Sequence, residues 1–217
     1  MSRRLAPLTL DNLSDLPKSC RGCVVWELDP VAARQAKEVG DPGFEKEAWV
    51  SGTLLEWGSC GRVAYVDDNP AGFVTYAPPA MVPRALAFPT SPVSADAVLL
   101  MTARVLPQYA GGGLARMLLQ ATAKDLSRRG VRAVEAFGLA AGGAMGDPGE
   151  PSASCLVPAD LFLAVGFKTV RPHHRFPRLR LELKTALSWR EDVELALERI
   201  LGTVRVPALT STRSADS

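Results

Sequence analysis

The 217 residues predict an α/β domain, and three stretches carry that prediction. From Ala97 to Phe137 the chain reads as strand, glycine turn, helix, strand. From Arg62 to Ala77, two strand-like runs (62–66 and 72–77) flank Asp67-Asp68-Asn69-Pro70-Ala71, which is turn chemistry throughout and predicts a β-hairpin. From Leu179 to Lys184 the run L-R-L-E-L-K alternates with period two, as a half-buried strand does. Helical and strand periods thus interleave along one chain, the pattern of helices packed on a sheet.

The elements follow in order. Pro30 is placed for the first turn of a helix through Val39, with Asp29 as its cap, and Gly40-Asp41-Pro42-Gly43 breaks it. A second helix is expected from Phe44 to Trp57, with Val50, Leu54 and Trp57 on one face. After the hairpin, Pro78 to Pro92 holds five prolines, too many for helix or ladder, and is expected as a loop. Ala97 to Val105 is apolar apart from Thr102 and Arg104, the pattern of a strand covered on both faces, and Pro107 stops it. Ala115, Leu119, Thr122 and Leu126 then recur at helical spacing, with Arg116, Gln120, Lys124 and Arg128 opposite. Gly130 ends this helix, and Arg128 and Arg129 suit the negative end of its dipole.

Val131 to Phe137 is the next strand, and Gly138 to Ser154, rich in glycine, alanine and proline, is expected to be mobile in the manner of a lid. Pro158 to Val165 reads as a short helix, and Gly166-Phe167 leads into a strand. Ser188 and Glu191 form a capping box, and Trp189, Val193, Leu197 and Ile200 make an apolar stripe up to Gly202. That C-terminal helix must cover either the sheet or a second subunit, so a monomer or a homodimer is expected. The expected domain spans residues 8–202, and Thr203 to Ser217 is a polar, flexible tail.

The glycine turn carries the chemistry. The first N–H groups of a helix have no internal partner, the helix dipole adds partial positive charge, and glycine lets phosphate oxygens approach the backbone. Gly111, Gly112 and Gly113 at a strand-to-helix junction therefore call for a phosphate-bearing cofactor. A Walker loop is excluded, because Leu114 and Ala115 stand where it needs Lys and Ser or Thr. A dinucleotide fingerprint fits poorly: Gly111 and Gly113 match its first glycines, but position 116 is Arg and the strand lies mid-chain.

Val105 to Leu119, V-L-P-Q-Y-A-G-G-G-L-A-R-M-L-L, resembles the acetyl-CoA loop of the GNAT superfamily of N-acetyltransferases, V-x-P-x-[YF]-[RQ]-G-x-G-[IL]-[GA]-x-x-L-L. Ala110 stands where that family usually has Arg or Gln. The resemblance covers about residues 44–184. It implies a GNAT-type fold: a twisted, mixed, mostly antiparallel sheet flanked by helices and splayed where acetyl-CoA inserts, here with the extra C-terminal helix. It further implies a pyrophosphate site on the backbone of Ala110, Gly111, Gly112, Gly113, Leu114 and Ala115, with a contact from Arg116, and pantetheine pairing by the backbone of Ala103 and Val105. The implied reaction is transfer of an acetyl group from acetyl-CoA to an amine of a small molecule or protein.

Cys155 to Leu183 resembles the second half of such a domain, N-x-x-A-x-x-L-Y-x-x-x-G-F, with Leu161, Gly166 and Phe167 in place but Phe162 where the tyrosine belongs. In many family members that phenol can protonate the leaving thiolate, and a phenyl ring cannot. The departure motivates a second reading, a non-catalytic acyl-CoA-binding or regulatory module. An ammonium acceptor also has to lose a proton before it can attack. Glu135, on the face of its strand with Val131, Ala133 and Phe137, is the expected base, with Glu27 and Glu56 more remote. Met81 to Phe88 either lines the acceptor site or is a stiff surface loop, and His173 and His174 in their basic stretch are either solvated, a proton shuttle or a means of recognising an acidic substrate.

Composition bounds the remainder. With 47% hydrophobic and 22% charged residues the chain reads as one globular domain. A net charge of +2, spread without long basic runs, argues against a nucleic-acid or membrane surface. Met1 to Leu10 holds no signal-peptide-like run and nowhere do eighteen apolar residues occur together, so a cytoplasmic protein is expected. Cys20 and Cys23 form one C-x-x-C, but a zinc site would need Cys60, His173 or His174 folded against them, and no metal site is expected. A thioredoxin-type motif should precede a helix, and Val24-Val25-Trp26 follow instead. The thiols are expected to be reduced, with Trp26 packing under the cofactor domain or lining the substrate side.

Overall fold

Two aspartates open the N-terminal helices by the same device. In the computed structural model, which describes residues 2–141 and 155–183, a single turn, α1 (Lys18–Arg21), precedes them. Asp29 Oδ1 accepts from the N–H groups of Val31 (2.8 Å) and Ala32 (3.1 Å) to cap α2, Pro30–Glu38. Asp41 Oδ1 does the same for Gly43 (2.9 Å) and Phe44 (3.2 Å) at the start of α3, Pro42–Glu56. The helix expected from Phe44 thus begins two residues earlier. Proline has no N–H to leave unsatisfied in a first turn, so Pro42 starts the helix it was expected to exclude.

Among the described residues, eight strands form one sheet: β1 (Arg3–Pro7), β2 (Gly61–Val66), β3 (Asn69–Ala77), β4 (Ala97–Val105), β5 (Ala133–Leu139), β6 (Val157–Pro158), β7 (Lys168–Arg171) and β8 (Arg178–Glu182). They lie in the order β1-β2-β3-β4-β5-β8-β7, with β6 beside β5. The β4–β5 and β5–β6 pairs are parallel and the others antiparallel. The crossover from β4 to β5 is α4 (Leu114–Arg128), and α5 (Ala159–Ala164) follows β6. A mixed, mostly antiparallel sheet flanked by helices is the architecture the sequence predicts. The expected C-terminal helix at 188–202, the tail at 203–217 and most of the lid-like 138–154 lie outside the described residues. Among the described residues, no helix is long and apolar enough to cross a membrane.

Three local differences have physical causes. The hairpin turn is tighter than its five turn-forming residues suggest: only Asp67 (φ +46°) and Asp68 (φ +64°) take positive φ, and Asn69 onward is already strand. Strand β1 extends the sheet ahead of residue 8, because pairing with β2, Arg3 opposite Val66 through Pro7 opposite Arg62, recruits a short basic run with no strand period of its own. The proline-dense loop is ordered as two 3-10 turns, Pro79–Met81 and Pro83–Ala87.

The sheet is covered on both faces. Leu114, Leu118, Leu119 and Leu126 of α4 pack on Val74, Tyr76, Val98, Leu100 and Val134. Each fully buried leucine contributes about 1.5–3 kcal/mol relative to exposure. On the other face Trp26, Phe88 and Phe137 cover Ala97, Leu99 and Met101. The register of β4 changes at Met101: Thr75 pairs with Thr102 but Tyr76 with Leu100, so Met101 is the extra residue of a bulge. Val98 and Leu100 face α4 before it, and Ala103 and Val105 pack on that same side after it.

Beyond the bulge the sheet opens. Strand β4 pairs with β5 only at Ala97–Leu99 opposite Ala133–Glu135. At Gly138 and Leu139 the edge of β5 is taken by β6 instead. A Cβ on Gly138 would stand 2.9 Å from Cα of Ala159, so glycine there is what lets α5 come close.

Candidate functional site

The glycine turn lies where β4 parts from β5. A 3-10 turn, Pro107–Tyr109, closes with the N–H of Ala110 donating to the carbonyl of Pro107 at 3.1 Å. Ala110, expected to offer its amide to phosphate, therefore spends it on the turn. Gly111 (φ +77°) and Gly113 (φ +76°) are left-handed, and a Cβ on either would meet nothing within 4 Å. Gly113 is the N-cap of α4 and makes no side-chain cap, and the first backbone bond of the helix is Met117 N–H to Gly113 O at 3.0 Å. The N–H groups of Gly111 to Arg116 accordingly have no partner among the described residues. Gly112 turns its carbonyl to Arg3 Nη1 at 2.8 Å, which ties β1 to the loop. Arg116 is exposed on the first turn of α4. Exposed glycines and amides without a partner among the described residues, at a helix N-terminus, are a donor set suited to an anion.

The open edge of β4 supplies a second row of backbone groups. Leu106 N–H donates to Ala71 O at 2.8 Å. Stepping by two along the antiparallel ladder, Arg104 opposite Phe73 and Thr102 opposite Thr75 also face β3. Ala103 and Val105 alternate with them, so their N–H and C=O groups point to the side that β5 has left. This places the two sequence-predicted pairing residues on one edge, next to the glycine loop.

Glu135 lies elsewhere on β5, at its last pair with β4, and it is fully buried. Its Oε1 accepts from Arg180 Nη1 (3.0 Å), and its Oε2 from Arg178 Nη1 (2.6 Å) and the N–H of Ser94 (3.1 Å). Burial pushes its carboxyl up, but the Ser94 and Arg180 hydrogen bonds and the Arg178 charge outweigh that and hold it below the usual range. Arg180 is raised in turn, chiefly by its hydrogen bonds to Asp96 and Glu182. Both oxygens of the expected base are engaged by cations. Glu27 differs: it is buried against Lys46, and its Oε2 has no partner among the described residues.

The buried layer beside β5 is aromatic and thiol-bearing. Phe88 stacks on Phe137 at 4.2 Å between centroids, and Trp26 lies parallel to Phe88 at 5.3 Å. Trp26 Nε1 donates to the carbonyl of Cys155 at 3.2 Å, and Cys23 Sγ lies 3.3 Å from Cys155 Sγ. Trp26 therefore packs under the sheet, and 81–88 is part of the same layer through Val82, Ala85 and Phe88. No cysteine forms a disulfide. Among the described residues no group of three or more His, Cys, Asp or Glu is placed to hold a metal. The hydrogen bond with Cys155 lowers the Cys23 thiol to about 6 against the opposing effect of burial, with help from the Val25 N–H and the Lys46 charge. Burial pushes Cys60 up to about 11. Iodoacetamide at pH 7 is therefore expected to alkylate Cys23 first, with a rate that falls below pH 6, and to spare Cys60; peptide mapping by mass spectrometry checks the order, and labelling of Cys60 first would contradict it.

Phe162 is 1% exposed and sits in the core beneath α4, its ring 4.9 Å from that of Phe167. It offers no hydroxyl to the site. Arg178 and Arg180 were not foreseen as partners of Glu135, although two arginines at period two in a strand opposite a lone buried glutamate are such a signal once the pairing is known. The approach of Cys155 to Cys23 and of Arg3 to the loop leaves no local signal, since they are separated by 132 and 109 residues.

No family model and no curated protein matches the chain. Solved structures do. The PaiA N-acetyltransferase of Thermoplasma acidophilum in complex with coenzyme A superposes with a TM-score of 0.53 at 12% identity, over 84% of this chain and 99% of that one. YncA of Salmonella typhimurium, described as a putative acetyltransferase, with its cofactor acetyl-CoA gives 0.54 at 14%, over 84% and 95%. An N-acetyltransferase of Staphylococcus aureus Mu50 gives 0.52 at 14%, over 84% and 99%.

Proposed function

Because the chain has the fold of the GNAT N-acetyltransferases, we propose that it binds acetyl-CoA at the loop from Gly111 to Arg116 and passes the acetyl group to an amine. The observation that carries the reading is the pairing of two backbone rows: unpartnered amides from Gly111 onward, and the outward-facing groups of Ala103 and Val105 beside them. Acetyl-CoA supplies an activated thioester. Gly111, Gly113, Leu114 and Ala115 hold its pyrophosphate through N–H groups, and Arg116 adds charge next to them. Ala103 and Val105 orient the pantetheine arm, and a backbone N–H on that edge polarises the thioester carbonyl.

In the reaction the amine nitrogen forms a bond to the acetyl carbon, the carbon–sulfur bond breaks, and its electron pair leaves on sulfur. The ammonium loses one proton before attack and the nitrogen loses a second as it becomes the amide; one of the two is released to solvent and the thiolate takes up the other. Glu135, with both oxygens bound by arginine, serves in this reading to hold β8 and the Ser94 loop on β5, and water carries the proton away. Phe162 likewise leaves protonation of the thiolate to water.

Phe162 also favours a second reading, an acyl-CoA-binding module that transfers slowly or not at all. CoA release assayed across a panel of primary amines, beside calorimetric titration with acetyl-CoA, separates the two. Saturable binding with amine-dependent release supports transfer, and binding without release supports the module. Absence of binding by the folded protein would overturn both. Under either outcome we propose a single domain that includes β1, with the acceptor approaching from the face opposite α4.

A further inference from the structure

Two of the four thiols stand together, and the spacing in the chain does not foretell which two. The sequence offers Cys20 and Cys23 as a C-x-x-C, whereas the structure sets Cys23 Sγ against Cys155 Sγ at 3.3 Å, across 132 residues of chain. Cys20 is turned elsewhere: its Sγ accepts from Arg104 Nη1 of β4 at 3.4 Å, and Ser19 Oγ lies 3.9 Å away. Cys60 is fully buried beside Leu8, Val63 and Phe73. Cys23 and Cys155 are each half-buried, so both reach solvent in part.

The pair is placed by the backbone on either side. Cys23 follows the single turn of α1, with its N–H donating to Cys20 O at 3.3 Å. Trp26, buried three residues further on, donates Nε1–H to the carbonyl of Cys155 at 3.2 Å, so the segment carrying one thiol is hydrogen-bonded to the residue carrying the other. On the far side Leu156 is buried in the aromatic layer and Val157 pairs with Gly138 of β5. The contact is therefore built by the fold and not by local sequence. Its two members are also unlike. The hydrogen bond from Cys155 draws the Cys23 thiol down to about 6 against burial, with Val25 N–H and the Lys46 charge assisting and the Glu27 charge opposing. At neutral pH Cys23 is thus largely the thiolate, the nucleophilic form, and Cys155 the donor beside it.

We propose that Cys23 and Cys155 are a hydroperoxide-reactive pair that closes to a reversible disulfide. In the first step Cys23 Sγ attacks one oxygen of the hydroperoxide: the S–O bond forms, the O–O bond breaks, and the departing alkoxide or hydroxide takes up the proton that Cys23 has released. Sulfur is oxidised to a sulfenic acid, and the peroxide is reduced to an alcohol or water. In the second step Cys155 Sγ attacks Cys23 Sγ: the S–S bond forms, the S–O bond breaks, and hydroxide leaves with the Cys155 proton as water. The two sulfurs need to close by only about 1.3 Å to reach disulfide distance. The bond ties the segment between α1 and α2 to the approach of β6, the strand that holds the edge of β5 where β4 has left it. The reaction needs no acetyl-CoA and stands apart from the transfer reading above.

The test treats the full chain, reduced and then freed of reductant, with a small excess of hydrogen peroxide at pH 7, and maps it without reduction by mass spectrometry. One bridge within the chain, Cys23–Cys155, is expected, opened again by dithiothreitol, with Cys20 and Cys60 still thiols. Cys155→Ser should stop at a sulfenic acid on Cys23, trapped by dimedone, and Cys23→Ser should lose thiols about tenfold more slowly than wild type. Cys20→Ser should form the same bridge at a rate within about twofold of wild type. A further arm needs no variant: in concentrated urea, where loop closure favours near neighbours, the preference should pass to Cys20–Cys23. The bridged protein should melt about 5 °C or more above the reduced one, because the bond closes so long a loop. A Cys20–Cys23 bridge as the main product of the folded chain, or thiol loss in wild type no faster than in Cys23→Ser, overturns the proposal. So does the same Cys23–Cys155 bridge from the chain in urea, or a bridged protein that melts no higher than the reduced one.

Discussion

Gly113→Asp is expected to lower acetyl-CoA affinity about a hundredfold while Gly113→Asn lowers it far less. Both side chains tolerate the left-handed backbone at φ +76° better than other residues, and both would enter open space. The strain is therefore shared, and the difference between the two variants isolates charge. A carboxylate about 5 Å from a phosphate oxygen, at an effective dielectric of about 20, meets roughly 3 kcal/mol of repulsion per charge pair before screening. Part of that is lost to solvent at an exposed loop, which leaves about two powers of ten. Calorimetric titration of wild type and both variants, with melting curves as a control for folding, measures it. Equal affinities for the Asp and Asn variants would mean that no anion sits at the loop.

Glu135→Ala is expected to lower stability by about 3–5 kcal/mol, because it takes the carboxylate from the mostly buried Arg178 guanidinium, whereas Arg180 keeps Asp96 and Glu182. Glu135→Gln keeps the volume and one accepting oxygen and should cost less, and urea denaturation at pH 7 ranks the three proteins. The pH dependence has a definite sign. Glu135 is held below its usual 4.5, so it binds a proton less readily folded than unfolded. Its contribution is fully present above that value and is lost as pH falls through the lower, folded one. Wild type should therefore lose more stability than Glu135→Gln on acidification below about pH 4.3. A Glu135→Ala protein as stable as wild type would contradict the ion-pair role and return Glu135 to candidacy as a base.

The two expectations also show which parts of the molecule sequence reasoning can reach. Gly111 and Gly113 were legible because their role is local: a strand ending at Pro107, positive φ, then a helix with its apolar face at Leu119, Thr122 and Leu126. The caps Asp29 and Asp41 are local in the same sense, and only the boundary at Pro42 moved. Glu135 was legible as a polar residue on a buried strand, but its surroundings depend on register. Arg180 stands opposite it, and Arg178 opposite Phe137, because β8 pairs antiparallel with β5, and one residue of slip would turn both arginines to the other face. No pattern within β5 or β8 sets that register. The hairpin is intermediate, since the five residues 67–71 all suit a turn and strand pairing decides that two of them make it. Strand β1 exists only by virtue of its neighbour, and Cys23 and Cys155 meet across 132 residues that no local pattern links.

The bulge at Met101 makes β4 a strand of two opposite parities. Up to Met101 the odd-numbered side chains face the aromatic layer, and beyond it the odd-numbered Ala103 and Val105 face α4 while Arg104 reaches Cys20 Sγ at 3.4 Å. A substitution at Met101 and its deletion are therefore different kinds of lesion. Exchange for another apolar residue of similar size is a packing matter. Removal of that one residue would set Leu100 and Thr102 next to each other on consecutive rungs opposite Tyr76 and Thr75, so the ladder becomes regular, Thr102 to Val105 keep their faces, and what is lost is the local bend of the strand. The extra residue thus sets the course of β4 and not the faces of the residues that follow it.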